Sequence, residues 1–362
     1  FLPKKIEEGR IDDIRECIGC NICVTGDYTM SPIRCTQNPS MGEEWRRGWH
    51  PERIAPRHTA SRVLVAGAGP AGLEAARALG QRGYDVTLAD KASEAGGRVA
   101  LECRLPGLAA WGRVRDWRLG QIAKMPNVTL YLESHVTPEL VREFGADKVI
   151  VATGARWRRD GIGRVTTTAL EIPAERQILT PDDLIAGIRP QDRRVLVYDE
   201  DHYYMGGIVA ELLRREDFAV TLMTPSPVVS RFASASLEQS RIQANLLRMG
   251  VHIVTGRALT SVTSAGGTSG CIYTGDNLLF ETDSLVLVTS RATNDDLYRE
   301  LVYHGHEPER IGDCLSPGTI AAAVHAGRRC AEAYGQPEPD HFGLPYRRDV
   351  TLPEAARSRS KR

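Results

Sequence analysis

The sequence predicts an α/β chain in three parts: a cysteine-rich N-terminal segment, then two Rossmann-like βαβ domains, the second inserted in the first. Three observations carry this. Four cysteines are gathered between Cys17 and Cys35. A glycine loop, Gly67 to Gly72, joins an apolar strand to an Ala/Leu-rich helix. A second strand and helix, between Arg194 and Leu213, repeat that pattern without the glycines. With 362 residues, 42% of them hydrophobic, the chain is long enough for two cores. Its 46 basic and 46 acidic residues cancel, so charge gives no reason to expect nucleic acid or a membrane surface as partner. No apolar run reaches the length of a membrane span.

The cysteines come first. Cys17-Ile-Gly-Cys20-Asn-Ile-Cys23 sets three thiolates at a strict spacing of three, and Cys35 follows after eleven intervening residues. Consecutive turns of backbone can aim three such ligands at three irons of a cubane, with a loop bringing the fourth from another side. The expected group is a [4Fe–4S] cluster on Cys17, Cys20, Cys23 and Cys35. Gly19 frees the backbone where it must bend around inorganic sulfide. Ile18, Ile22 and Val24 would screen the site from water. The alternative is a four-cysteine zinc site, although zinc sites tend to present their cysteines in pairs. A disulfide framework is weaker in a chain with no secretory signal. The other cysteines, Cys103, Cys271, Cys314 and Cys330, are scattered and read as ordinary thiols, which suits a reducing cytoplasm.

Around this loop, residues 1–16 read as a short charged helix, and Trp45 and Trp49 as packing residues. The first residue is Phe, and Phe1 to Gly9 looks like the middle of something, so a fragment of a longer polypeptide is expected. The cysteine segment is assigned to residues 1–60.

Residues 61–154 plus 311–335 are assigned to the first nucleotide-binding domain. Gly67-Ala68-Gly69-Pro70-Ala71-Gly72 follows the strand at Arg62 and opens a helix, and a second strand, Tyr84 to Ala89, ends in Asp90. That is the full βαβ setting a dinucleotide fingerprint requires. Gly67 permits the turn, Gly69 lets backbone approach a pyrophosphate, and Gly72 lets helix and strand pack closely. The helix N-terminus supplies N–H donors to phosphate. Asp90 is placed for ribose hydroxyls, with Lys91 beside it. Gly96-Gly97-Arg98 continues the pattern of flavoproteins with two dinucleotide domains, and Arg98 is expected on a phosphate. Leu105 to Lys124 reads as one helix, Thr137-Pro138 as a capped helix start, and Lys148 to Gly154 as a strand ending in the Ala-Thr-Gly crossover. Asp313, before the helix at Gly318 to Tyr334, is expected near ribose or pyrophosphate.

Residues 155–310 form the inserted domain. Between its first strand (Arg194 to Tyr198) and first helix (Gly206 to Leu213) a nicotinamide site would need glycines, but the chain has Asp199-Glu200-Asp201. Three acids facing a pyrophosphate would each cost on the order of 1–4 kcal/mol per like-charge pair. Binding of NAD(P)H should be nearly abolished. Residues 336–362 read as a Pro- and Arg-rich solvated arm.

Cys17-Ile-Gly-Cys-Asn-Ile-Cys23, Cys35-Thr-Gln-Asn38, Gly42-Glu-Glu-Trp-Arg-Arg-Gly-Trp-His-Pro51 and Gly67-Ala-Gly-Pro-Ala-Gly72 together resemble the C-terminal half of the trimethylamine dehydrogenase group. That group includes dimethylamine and histamine dehydrogenases and is kin to 2,4-dienoyl-CoA reductase. Asp201-His-Tyr-Tyr-Met-Gly-Gly207 and Pro317 to Val324 lean toward the histamine dehydrogenase branch. The resemblance implies a glutathione-reductase-like pair of domains and a preceding barrel carrying 6-S-cysteinyl FMN that oxidises the amine. It also implies structural ADP in place of FAD at the fingerprint, a homodimer, and an electron-transferring flavoprotein or similar one-electron acceptor. The catalytic residues would lie in the barrel. Two other readings stay open: a fragment of an FAD- and NAD(P)H-dependent dienoyl-CoA or enoate reductase, and a stand-alone electron-transfer subunit.

Overall fold

The computed structural model describes residues 1–336; the arm expected for 336–362 lies, beyond Gln336, outside the described residues. The first sheet is parallel, in the order Glu309–Arg310, Lys148–Val151, Arg62–Ala66, Asp85–Ala89, Val128–Tyr131. Its central strands are apolar on both faces, as a sheet covered on both sides demands. Val63, Val65 and Ile150 join one core with Leu73 and Leu79, while Leu64, Ala66 and Val151 join another with Val141 and Leu301. The glycine helix, Pro70–Arg82, starts with Pro in its first turn and ends at Gly83, φ +94°. The Ile320–Ala333 helix lies against it so closely that a Cβ at Gly327 would overlap the Ala71 carbonyl oxygen.

The second sheet repeats the design: Ile178–Leu179, Ser284–Val288, Arg194–Asp199, Ala219–Thr224 and His252–Thr255, all parallel. The Met205–Arg215 helix buries Met205, Val209 and Leu213 against Val195, Val197, Val286 and Val288. An antiparallel sheet of Arg257–Val262, Gly266–Cys271 and Asn277–Glu281 covers the other face through Leu259 and Val262. The chain leaves and re-enters the first domain side by side, through an antiparallel ribbon of Ala155–Trp157 and Arg291–Thr293. The return comes earlier than residue 311. The Asp296–Tyr303 helix buries Leu301 in a core of the first sheet, and Glu309–Arg310 pairs with that sheet's Lys148–Val151 strand.

Thr137 caps the Pro138–Phe144 helix by accepting from the Leu140 N–H at 3.3 Å. Two expected helices are interrupted. Residues 1–16 contain a helix at Leu2–Glu7 and a 3₁₀ turn at Ile11–Asp13, broken where Gly9 takes φ +69°. Residues 105–124 break into a 3₁₀ turn at Ala109–Gly112 and a helix at Arg113–Ile122 after Gly107, φ +77°. Of the two tryptophans read as packing residues, Trp49 is buried, its ring centroid 5.4 Å from that of His325, whereas Trp45 is exposed.

Candidate functional site

One cavity of about 1230 Å³ runs between the two domains and reaches the cysteine segment. Gly67, Gly69, Pro70, Ala71, Asp90 and Lys91 line one part of it. Gly97, Arg98 and Asp313 line it farther in, Ile18 and Cys20 from the cysteine segment, and Asp201, Tyr203 and Tyr204 from the inserted domain. Ala68 and Gly72 lie behind this wall and shape it. A Cβ on Gly72 would overlap the Gly67 carbonyl oxygen, and Gly67 itself holds φ +107° against the Ala152 carbonyl. Both positions therefore require glycine. Asp90 closes the loop: its carboxylate accepts from the Ala68 N–H at 2.6 Å and the Ala92 N–H at 2.8 Å.

The other two residues expected at phosphate or ribose, Arg98 and Asp313, line the cavity and are engaged there by protein groups. Arg98 Nη1 donates to Asp182 Oδ1 at 2.9 Å and its Nη2 to the Ala155 carbonyl at 2.8 Å, so it ties the two domains together. Asp313 reaches the cavity wall but is engaged there, accepting from Arg291 Nη1 at 2.6 Å and the Gly318 N–H at 2.9 Å.

The three acids of the inserted domain do not face one ligand. Glu200 turns away and is fully satisfied, accepting from Tyr198 Oη at 2.5 Å, the Val165 N–H at 2.6 Å and Thr166 Oγ1 at 2.6 Å. Asp199 is completely buried, and its side chain lies against Gly206 in the first turn of the Met205–Arg215 helix. Burial, then the nearby Asp201 charge, push its carboxyl up to about 8, so at neutral pH it is mainly protonated. Only Asp201 lines the cavity. The second loop is thus closed by a packed carboxyl rather than by massed negative charge. Tyr204, at the start of the same helix, reaches across and donates to Glu102 Oε2 at 2.8 Å; burial raises the pKa of that carboxyl.

In the cysteine segment, all eight cysteines of the chain are free thiols. Asn21, left-handed at φ 50°, turns the chain into the Ile22–Tyr28 helix, and the Gly19 N–H donates to Cys17 Sγ at 3.4 Å. Cys20 Sγ lies 3.1 Å from Thr36 Oγ1. Burial, and then the thiols of Cys35 and Cys17, raise its pKa against that hydrogen bond. Among the described residues no three His, Cys, Asp or Glu side chains converge as they would on a single ion. A cubane asks for something different, each thiolate going to its own iron. An all-thiol donor set on a loop with its own N–H···S bond fits such a group.

Residues 61–305 match the sequence family described as pyridine nucleotide-disulphide oxidoreductase. The chain belongs to that family. Dimethylamine dehydrogenase of Hyphomicrobium sp. (strain x) is 34% identical over 96% of this chain and 52% of its own length. The structure of histamine dehydrogenase from Rhizobium sp. 4-9 is 47% identical, with a TM-score of 0.94 over 98% of this chain and 56% of that one. The 6-hydroxypseudooxynicotine amine oxidase of Pseudomonas geniculata N1 is 44% identical, with a TM-score of 0.90 over 93% and 51%. The chain spans about half the length of the curated relatives it matches. These relatives are oxidoreductases, and they bear out the resemblance drawn from the motifs.

What this chain hid from sequence reading is its ties. Glu102, Tyr204, Asp182 and Arg291 carry the domain contacts, and Arg118, Glu74 and Gln37 bind the cysteine segment to the first domain. Each is an ordinary polar residue, and its partner is far off in the chain. No local spacing announces it.

Proposed function

We propose that this chain is the electron-transfer and nucleotide-binding part of an iron–sulfur amine dehydrogenase. The observation that carries the reading is the shared cavity: Cys20 and the glycine loop line it together, while the corresponding loop of the inserted domain is shut by Asp199. Cys17, Cys20, Cys23 and Cys35 would hold a [4Fe–4S] cluster, which when bound accepts and releases single electrons. The protein's own part is to place and shield it. Ile18 is buried beside the loop, and the Thr36 hydroxyl and Gly19 N–H stand at sulfur.

At Gly67 to Gly72, with Asp90 and Lys91, the ligand would be ADP. The backbone N–H groups at the start of the Pro70–Arg82 helix meet the phosphates, and the Asp90 carboxylate takes ribose hydroxyls by exchanging its Ala68 partner. Arg98 and Asp313 would act from the side, by fixing the domains around the nucleotide. The amine would be histamine or a methylated amine, as the relatives' names suggest. It would be oxidised at FMN in a separate barrel, and a flavoprotein or another one-electron carrier would collect the electrons from a cytoplasmic homodimer. No helix among the described residues is long and apolar enough to cross a membrane.

The test is a composition assay on anaerobically purified protein: iron, acid-labile sulfide, and the mass of the released nucleotide, with Cys20→Ala as control. About four irons, four sulfides and one ADP per chain are expected, the iron vanishing in the variant. FAD in place of ADP, with tight NADH binding, would favour the reductase reading suggested by the pyridine nucleotide family match. Protein without iron would overturn the proposal.

A further inference from the structure

A buried group of charges stands next to the cysteine loop, and the reading above does not use it. Glu74 on the glycine helix and Arg118 on the Arg113–Ile122 helix are both fully buried. Arg118 Nε donates to Glu74 Oε2 at 2.8 Å, and Arg77 Nη2 to Glu74 Oε1 at 2.5 Å. The rest of Arg118 faces the cysteine segment: Nη1 donates to Gln37 Oε1 at 3.2 Å and Nη2 to the Gln37 carbonyl at 3.1 Å. Arg15 Nη1 donates to that same carbonyl at 3.1 Å and to Asn38 Oδ1 at 3.0 Å. Gln37 Nε2 completes the lacing by donating to the Glu16 carbonyl at 3.0 Å. One group therefore holds the residue two before Cys17 and the residue two after Cys35. Trp117 supports it from beneath, its ring centroid 4.2, 5.5 and 5.8 Å from the guanidinium carbons of Arg15, Arg77 and Arg118.

The charges in this group do not balance. Three guanidinium groups, which stay protonated even when buried, surround the single carboxylate of Glu74. Burial pushes Glu74 up, but Arg77 and Arg118 outweigh it and hold the carboxyl down at about 2. The ions around the group are already paired, Lys5 with Glu52 at 3.0 Å and Arg328 with Glu332 at 2.6 Å, and the Glu52 charge reaches Arg15 more weakly than that of Glu74. Uncompensated buried charge is strongly unfavourable unless something of opposite sign stands nearby. The thiolate loop is a further source of negative charge, because a Cys35 thiolate favours the charged form of Arg118, which is hydrogen-bonded to Gln37 two residues on.

We propose that Arg15, Arg77 and Arg118 form a cationic cage that raises the reduction potential of the centre held by Cys17, Cys20, Cys23 and Cys35. This rests on the iron–sulfur reading of those cysteines. A four-thiolate cluster is anionic in both oxidation states, and reduction adds one more negative charge. Fixed cations in a poorly solvated setting therefore stabilise the reduced form more than the oxidised one.

The test is a redox titration of the purified full chain followed by electron paramagnetic resonance, with iron content measured on every sample. Arg118→Gln removes a cation and is expected to lower the potential. Glu74→Gln removes the only anion of the group and is expected to raise it. A tenfold change in the reduction equilibrium in each direction, 59 mV for one electron, is the expected size. Arg15→Gln, at the edge of the group, should lower the potential while Arg15→Lys keeps it, so the sign can still be read if Arg118→Gln fails to load iron. A merely structural role would move Arg118→Gln and Glu74→Gln the same way. Iron-loaded variants with unmoved potentials, or shifts of one sign, would overturn the cage alone. A wild-type chain without iron would overturn the cluster reading beneath it.

Discussion

Asp199→Asn should change how stability depends on pH, and the structure fixes both sign and size. One Asp199 carboxyl oxygen accepts from the His202 N–H at 3.1 Å, and the other is buried without a partner. Burial and then Asp201 raise the native pKa to about 8, whereas an unfolded aspartate ionises near ~3.9. Between those values the native state keeps a proton that the unfolded state gives up, so stability falls as pH rises through that window. Neutral pH lies about 3 units above the unfolded value, and each unit corresponds to about 1.36 kcal/mol, giving a loss of at most about 4 kcal/mol by pH 7. Asparagine preserves the shape and the acceptor for His202 but does not titrate. His202 has its own pKa pushed down to about 4, chiefly by burial, and stays neutral over most of the window. Urea denaturation of both proteins at pH 5, 7 and 8.5 is the assay. The variant should gain on the wild type by about 2–3 kcal/mol between pH 5 and 7, with the gap flattening above pH 8. Parallel curves would show that Asp199 is ionised in the fold, and would restore charge as the reason the second loop is shut.

Three further outcomes follow from the first domain. Gly72→Ala forces a Cβ onto the Gly67 carbonyl, so nucleotide affinity measured by calorimetry should drop at least about tenfold, together with stability. Asp90→Ala removes the acceptor of the Ala68 N–H and the proposed ribose partner; ADP should bind about tenfold or more weakly while iron content holds, and equal affinity would place the ribose elsewhere. Arg98→Ala should leave ADP affinity within about twofold but speed amide exchange at 155–157 and 181–185, because its partners are Ala155 and Asp182. A large loss of affinity there would return Arg98 to a phosphate.

The first nucleotide loop was legible because its chemistry is local. Gly67 and Gly97 hold φ of +107° and +52°, the apolar run at Val63 to Ala66 is buried on both faces, and Thr137-Pro138 caps a helix within four residues. Local pattern could not say which way a side chain turns. Asp199, Glu200 and Asp201 look like one negative patch in the sequence, yet they point into a core, a loop and a cavity. The strand's alternation separates the first two, and Glu200 finds its partners at Val165 and Thr166, more than thirty residues earlier. Arg98 reads as a phosphate ligand by proximity to Gly97, but besides the nearby Glu102 at 3.7 Å it is hydrogen-bonded to a carboxylate 84 residues away.

These long-range ties bear on how the inserted domain works. An enzyme that binds and releases a nicotinamide through this fold needs an open second loop and room for the nucleotide to enter. Here the loop and two other segments carry fasteners instead. Tyr204 is bonded to Glu102, Asp182 to Arg98, and Arg291 to Asp313, three links between the inserted domain or its ribbon and the first domain. At the loop itself, Asp199 lays its own carboxyl against Gly206 in the first turn of the helix. Electron tunnelling depends steeply on distance and gains from a fixed geometry, whereas hydride exchange with a diffusing cofactor does not gain from a closed door. The inserted domain keeps the strands and helix of a nucleotide site and is tied by Asp182, Tyr204 and Arg291 beside the cavity that Cys20 and the first loop line, an arrangement that would suit the single-electron relay proposed above.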